Sequence, residues 1–205
     1  MNSTPNPEPT GVAPRTQQTP RLAFALIYGG LSFGLVSVLA YSIWAFRLVR
    51  GAAAMFSSIA VVYLVLGGLA LSRLVSASEA RKRFPLWFAL AFLIYALGWC
   101  LFWFGLKGKM QADLWGAVAG LAGMTLLWQR LYGRPGDFLR LFAGLFVLHC
   151  AGYYLGGVFH ARFHGPPGML LWGVAHGVGF GAGIGYVLWR CQASVKMQLP
   201  STPPA

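Results

Sequence analysis

Four histidines, His149, His160, His164 and His176, carry most of the chemistry this chain has to offer, and all fall in its last third. Neutral imidazole is the commonest metal ligand, a frequent axial ligand of haem iron and a proton carrier near neutral pH. His149 and His160 are eleven residues apart, which on an ideal helix returns to within about 20°. Gly152 and Gly156 lie on that face between them, so it reads as a narrow groove with an imidazole at each end. His176 has Gly173, Gly179, Phe180 and Gly183 on its own side. Glycine beside a ligating histidine lets a flat macrocycle approach a helix closely. His149 and His176 are therefore candidate cofactor ligands, for haem or a transition metal. His160 and His164, nearer a helix end, are candidates for a metal ion loaded from outside.

The elements that carry these residues follow from six runs without Asp, Glu, Lys or Arg: Leu22–Phe46, Gly51–Ser72, Phe84–Leu106, Leu114–Gln129, Leu141–Ala161 and Phe163–Trp189. Crossing the hydrocarbon core takes about 20 mostly apolar residues in a helix. Runs this long without alternation exclude a barrel, the other architecture that satisfies its backbone in lipid. The composition agrees, at 57% hydrophobic and only 10% charged, against about 25% charged in soluble domains. The fold class is thus an all-α membrane protein, a compact bundle of six transmembrane helices. The first run is too long for a signal-peptide core and is expected to remain as a span. Residues 1–20, rich in Pro, Ser, Thr and Gln, and residues 192–205 are expected to be disordered tails, leaving residues 21–191 as one transmembrane domain.

The net charge of +12 is spread through the connections, so no nucleic-acid partner is implied, and the absence of a P-loop or dinucleotide fingerprint implies no nucleotide. Its distribution sets the topology instead. With the N-terminus, the second and fourth connections and the C-terminus on one side, that side holds eleven of the sixteen Lys and Arg residues and the other holds five. The positive-inside rule then places both termini in the cytoplasm, in a plasma-membrane protein whose first partner is the lipid bilayer. Trp44, Trp87, Trp115, Trp128 and Trp189 fall near span ends and read as interface belt residues, and Trp99, Trp103 and Trp172 read the same way. Cys100, Cys150 and Cys191 imply no disulfide.

In that orientation span five runs outward and span six runs back. His149 lies ~16 Å below His160, and His176 ~12 Å below Gly168, at 1.5 Å per residue, so the two deep histidines fall at similar depths. Ionisable side chains at that depth mark a functional site by default. The plainer alternative is a buried histidine that hydrogen-bonds a neighbouring helix. No HExxH pattern is present, and no carboxylate lies within a span to complete a metal site or a proton relay; Asp113, at the start of span four, is the nearest. Span six also carries two rows of small residues, Gly173, Gly177, Gly181 and Gly185, and Ala175, Gly179 and Gly183. Rows of this kind let membrane helices approach closely, which places span six inside the bundle with neighbours on two sides.

The stretch Ala175-His176-Gly177-Val178-Gly179-Phe180-Gly181-Ala182-Gly183 resembles the AHxxGxxxG pattern on the sixth span of rhomboid intramembrane proteases. Gly120-Leu121-Ala122-Gly123 on span four is similar to that family's GxSG motif, with Ala122 where the nucleophilic serine belongs. The long first outer loop and the HxxxN of span two have no counterpart here. The resemblance implies a rhomboid-like fold without peptidase activity. Two other functions stand beside it: a cofactor-binding protein using His149 and His176, and a non-enzymatic subunit or scaffold that packs against other membrane subunits through its glycine faces.

Overall fold

The computed structural model describes residues 20–132 and 135–196, and these form an all-α bundle of six helices without a strand. The helices are α1 (Leu22–Ala45), α2 (Ala52–Leu74), α3 (Ser78–Gly105), α4 (Ala112–Leu131), α5 (Phe138–Phe163) and α6 (Gly165–Lys196). Five are long and apolar enough to cross a membrane. The exception is α4, whose 20 residues suffice in length but not in apolarity, because it includes Asp113, Gln129 and Arg130 among many Gly and Ala residues. The protein is a multi-pass membrane protein. Its outward faces are apolar, with Leu35, Leu97, Leu101 and Val158 exposed as lipid-facing side chains.

Helix ends depart from the apolar runs in three places. The third helix begins at Ser78, so Arg81-Lys82-Arg83 forms its first turns rather than a connection. Charges delimit the part of a helix that sits in lipid, not the helix itself. The last helix continues to Lys196, past the boundary set at Cys191. Gln192 explains the extension: its amide donates to the Leu74 and Leu188 carbonyls at 2.9 and 3.0 Å, and its oxygen accepts from the Ser76 backbone N–H at 2.7 Å. Between α5 and α6 the chain reverses at His164 and Gly165, both with positive φ (43° and 63°). Pro166 and Pro167 then occupy the first turn of α6, where a missing N–H costs nothing. The tail at residues 1–19 and the end at residues 197–205 lie outside the described residues, as does part of the Gly133–Gly136 turn.

The sixth helix runs between α1 and α5, and its small residues face them both. A Cβ added at Gly181 would meet the Gly29 carbonyl and Phe33, one at Gly185 the Ala25 carbonyl, and one at Gly177 would meet Ser37. On the other side, Gly179 lies against the Leu148 carbonyl and Gly152, and Gly183 against Leu145. Backbones this close leave no space for a side chain. A second seam joins α3 to α4, where Gly98 faces Gly120 and Gly116 faces Trp99. The middle of the bundle is filled by rings: Phe33 touches Tyr63, Phe88, Phe92 and Phe180 at centroid distances of 5.4 to 6.4 Å. Each such pair adds about 0.5–1.5 kcal/mol beyond its buried area.

At the end of the bundle that holds residue 20, polar contacts tie the helix ends together. Arg190 lies 3.8 Å from the Asp137 carboxylate, and Arg81 donates to the Val75 carbonyl at 2.8 Å. The second helix contains a π-helical turn, Tyr63–Gly67, which changes the register of its two halves. Turns of this kind recur at functional sites. Here it brings Tyr63 into the core, where its hydroxyl and that of Ser37 are 2.7 Å apart.

Candidate functional site

The helix faces that meet at the opposite end of the bundle are lined with aromatic residues at helical spacing. On α1 these are Tyr41 and Trp44, three apart. On α3 they are Phe92, Tyr95, Trp99 and Trp103, and on α6 Trp172, His176 and Phe180, four apart. His149, Tyr153 and His160 share one face of α5. Gly156 is what seats Trp172 between α5 and α6, since a Cβ at Gly156 would fall on the indole. The result is a cavity of about 430 Å³ bounded by α1, α2, α3, α5 and α6. Its walls include Trp44, Trp99, Trp103 and Trp172, closed on the α2 side by Met55, Phe56, Ile59 and Ala60. None of the described side chains that line it is charged.

Four polar side chains from four helices are joined at the floor of this cavity. Tyr95 hydroxyl and His149 Nε2 are 2.8 Å apart, His149 Nε2 and His176 Nε2 are 3.3 Å apart, and His176 Nδ1 lies 3.3 Å from the Tyr41 hydroxyl. His149 is 1% exposed and stands behind the cavity wall, whereas His176, Tyr41 and Tyr95 line the cavity itself. Phe180 fixes both imidazoles, edge-on to His149 at 4.9 Å and stacked on His176 at 5.8 Å. A run of hydrogen-bonded groups held by packed rings has little freedom to rearrange, so it forms a rigid polar spot in an apolar surround.

The structure therefore brings His149 and His176 into direct contact. A porphyrin held between them would need to pass between the two ring nitrogens, and nitrogens 3.3 Å apart leave no room for one. The backbones of α5 and α6 likewise touch at Gly152 and Ala175 instead of parting around a macrocycle. Among the described residues no three His, Cys, Asp or Glu side chains gather, so a metal ion would have two imidazoles and a phenol. His160 does not join the pair. It stands at the cavity mouth between Trp44 and Trp172, with ring centroids 5.4 and 5.5 Å away. His164 is exposed on the turn between α5 and α6 and does not line the cavity. None of the three cysteines is in a disulfide.

The two stretches that resemble rhomboid motifs lie in different seams. Gly120 and Gly123 press against Tyr95 and Ile94 of α3, while His176 faces Tyr41, His149 and Tyr153. The two glycines and His176 thus belong to separate interfaces. The tryptophans read as belt residues also separate: Trp44, Trp99, Trp103 and Trp172 line the cavity and Trp128 is 1% exposed, while Trp115 remains exposed. Tyr41, Tyr63, Tyr95 and Tyr153 were not singled out from the sequence. Their signal was present, because a tyrosine inside an apolar span must find a partner for its hydroxyl. No known protein family, curated protein or solved structure matches the chain.

Proposed function

We propose that this protein binds an uncharged, largely apolar small molecule in the aromatic cavity, with Tyr41, Tyr95 and His176 as its polar contacts and His149 as their support. The observation that carries the reading is the cavity itself. Its volume of about 430 Å³ falls in the range of small-molecule sites, and its apolar walls with a few convergent polar groups are the usual make-up of one. The chain sits in the plasma membrane with both termini in the cytoplasm, on the strength of its asymmetric basic residues. The cavity then opens toward the outer half of the bilayer. A scaffold role needs only the glycine seams, which already serve contacts within the chain, so the cavity favours ligand binding.

The test is a cavity-filling substitution. Ala96 lines the cavity and is half-buried, so Ala96→Trp places an indole in the space with little disturbance of the seams. Isothermal titration of detergent-purified protein with decylbenzene should show saturable binding to the wild type and none to A96W. Equal binding to both would overturn the reading. Elemental analysis of the same preparation addresses a metal directly: a transition metal at one per chain, lost in both H149A and H176A, would assign the histidines to it instead.

A further inference from the structure

The hydrogen-bond count at the cavity floor narrows the ligand's chemistry, given the reading of the cavity as a ligand site. His149 Nδ1 is buried and has no partner. A stranded N–H costs more than a bare lone pair, and a neutral imidazole carries one ring proton. That proton therefore sits on His149 Nε2, which donates toward the Tyr95 oxygen at 2.8 Å and toward His176 Nε2 at 3.3 Å. Facing an N–H, His176 Nε2 must present its lone pair. The His176 proton then sits on Nδ1 and donates to the Tyr41 oxygen, 3.3 Å away. Both phenol oxygens are acceptors within the relay. Their own hydroxyl hydrogens have no acceptor there, and both tyrosines line the cavity.

From this count we infer that the cavity offers two phenolic O–H donors, from Tyr41 and Tyr95, and selects an uncharged ring bearing carbonyl oxygens, of the quinone type, attached to an apolar tail. The walls suit such a ring, since four indoles and the phenyl rings of Phe56 and Phe92 provide flat apolar faces, with Trp99 and Trp103 stacked at 5.1 Å and 12°. A carboxylate or phosphate would find no cation among the described lining residues. A quaternary ammonium, which aromatic walls can also attract, would meet the positive ends of two O–H dipoles. The inference concerns binding and includes no redox step.

Three probes with one tail separate the outcomes: decyl-benzoquinone, decylbenzene and decyltrimethylammonium, titrated by calorimetry into detergent-purified protein. The quinone should bind about ten-fold more tightly than decylbenzene, the increment of one or two hydrogen bonds made in an apolar site. Y41F and Y95F should each remove most of that preference, read as the ratio of quinone to decylbenzene affinity within each variant. Infrared spectroscopy of the quinone bound to wild-type protein should show a carbonyl stretch lowered from its value in detergent alone, a reading that does not depend on either variant folding. Equal affinities for the quinone and decylbenzene, tightest binding of the ammonium, or an unshifted carbonyl would each overturn the carbonyl assignment while the cavity reading stands. Saturable binding of none of the three would overturn the cavity reading and this inference together.

Discussion

The two halves of α2 share one apolar helix and differ in almost everything else. From Tyr63 onward the helix is packed: Tyr63, Gly67, Gly68, Leu71 and Leu74 are buried, with Gly67 against Phe88 and Phe33 and Gly68 against Pro85. In Ala52–Val62 no residue is buried. The cause lies across the gap on α3. Opposite the packed half, α3 presents residues that α2 glycines can approach. Opposite the loose half it presents Trp99 and Trp103, stacked on each other, and an edge contact between Phe56 and Phe104 at 6.0 Å. The indoles hold α2 away and the space left behind is the cavity. Apolarity alone places a segment in the membrane, whereas matched small residues decide where two helices touch.

The strongest way to break this comparison is to install a side chain where backbones touch. Gly181→Leu would drive Cβ into the Gly29 carbonyl and Phe33, neither of which is the free end of a flexible side chain. Overpacking a well-filled core costs about 1–3 kcal/mol and more when backbone must move. The variant should unfold at least ten degrees below wild type in a detergent thermal scan, or fail to be recovered as folded protein. Unchanged unfolding would mean that α1 and α6 do not meet backbone to backbone at Gly29 and Gly181.

A paired truncation tests the contrast itself. Phe33 is fully buried among four rings, while Phe56 is half-buried on the cavity wall. Phe33→Ala should cost about 3–5 kcal/mol, the usual range for a buried phenylalanine. Phe56→Ala, which leaves no new enclosed void, should cost about 1 kcal/mol or less. Chemical denaturation of the two variants side by side measures the difference. Equal losses would show that the cavity wall contributes as much to stability as the core.

Much of the fold was legible because hydropathy summed over about 20 residues outweighs local detail. The six helices emerge that way, and so do the two small-residue rows of α6, whose four-residue spacing needs no knowledge of the partner. Helix ends were less legible. The sequence places Arg81-Lys82-Arg83 outside the lipid, but a helix can begin before it enters lipid, and Gln192 extends α6 through contacts with residues more than a hundred positions away. His149 and His176 were visible as a deep pair, since each lies inside an apolar run on adjacent spans. The cavity was not visible, because it depends on which faces of five helices converge and on the π turn that rotates Tyr63 inward. Tyr41 and Tyr95 belong to that hidden part: single hydroxyls in aromatic-rich spans acquire meaning only beside the imidazoles they meet.

The smallest effect on stability should come from Met55, and it sharpens the comparison most. Met55 lies in the loose half of α2, half-buried, and lines the cavity without belonging to the buried core. Truncating a core methionine costs about 2–5 kcal/mol, while substitutions away from packed contacts stay within about 0.5 kcal/mol. Met55→Ala should therefore leave the denaturation midpoint within error of wild type. Its Cγ methylene, sulfur and terminal methyl nevertheless form part of the wall against which an apolar ligand would rest, so removing them should weaken decylbenzene binding by about three- to ten-fold, on the order of the ~0.8 kcal/mol that one buried methylene contributes. Stability loss comparable to that of Phe33→Ala would place Met55 in the core and close the cavity on the α2 side. Unchanged stability together with unchanged binding would move the ligand elsewhere in the cavity, toward Tyr41, Trp172 and His176, and leave α2 as a lid that ligands do not touch.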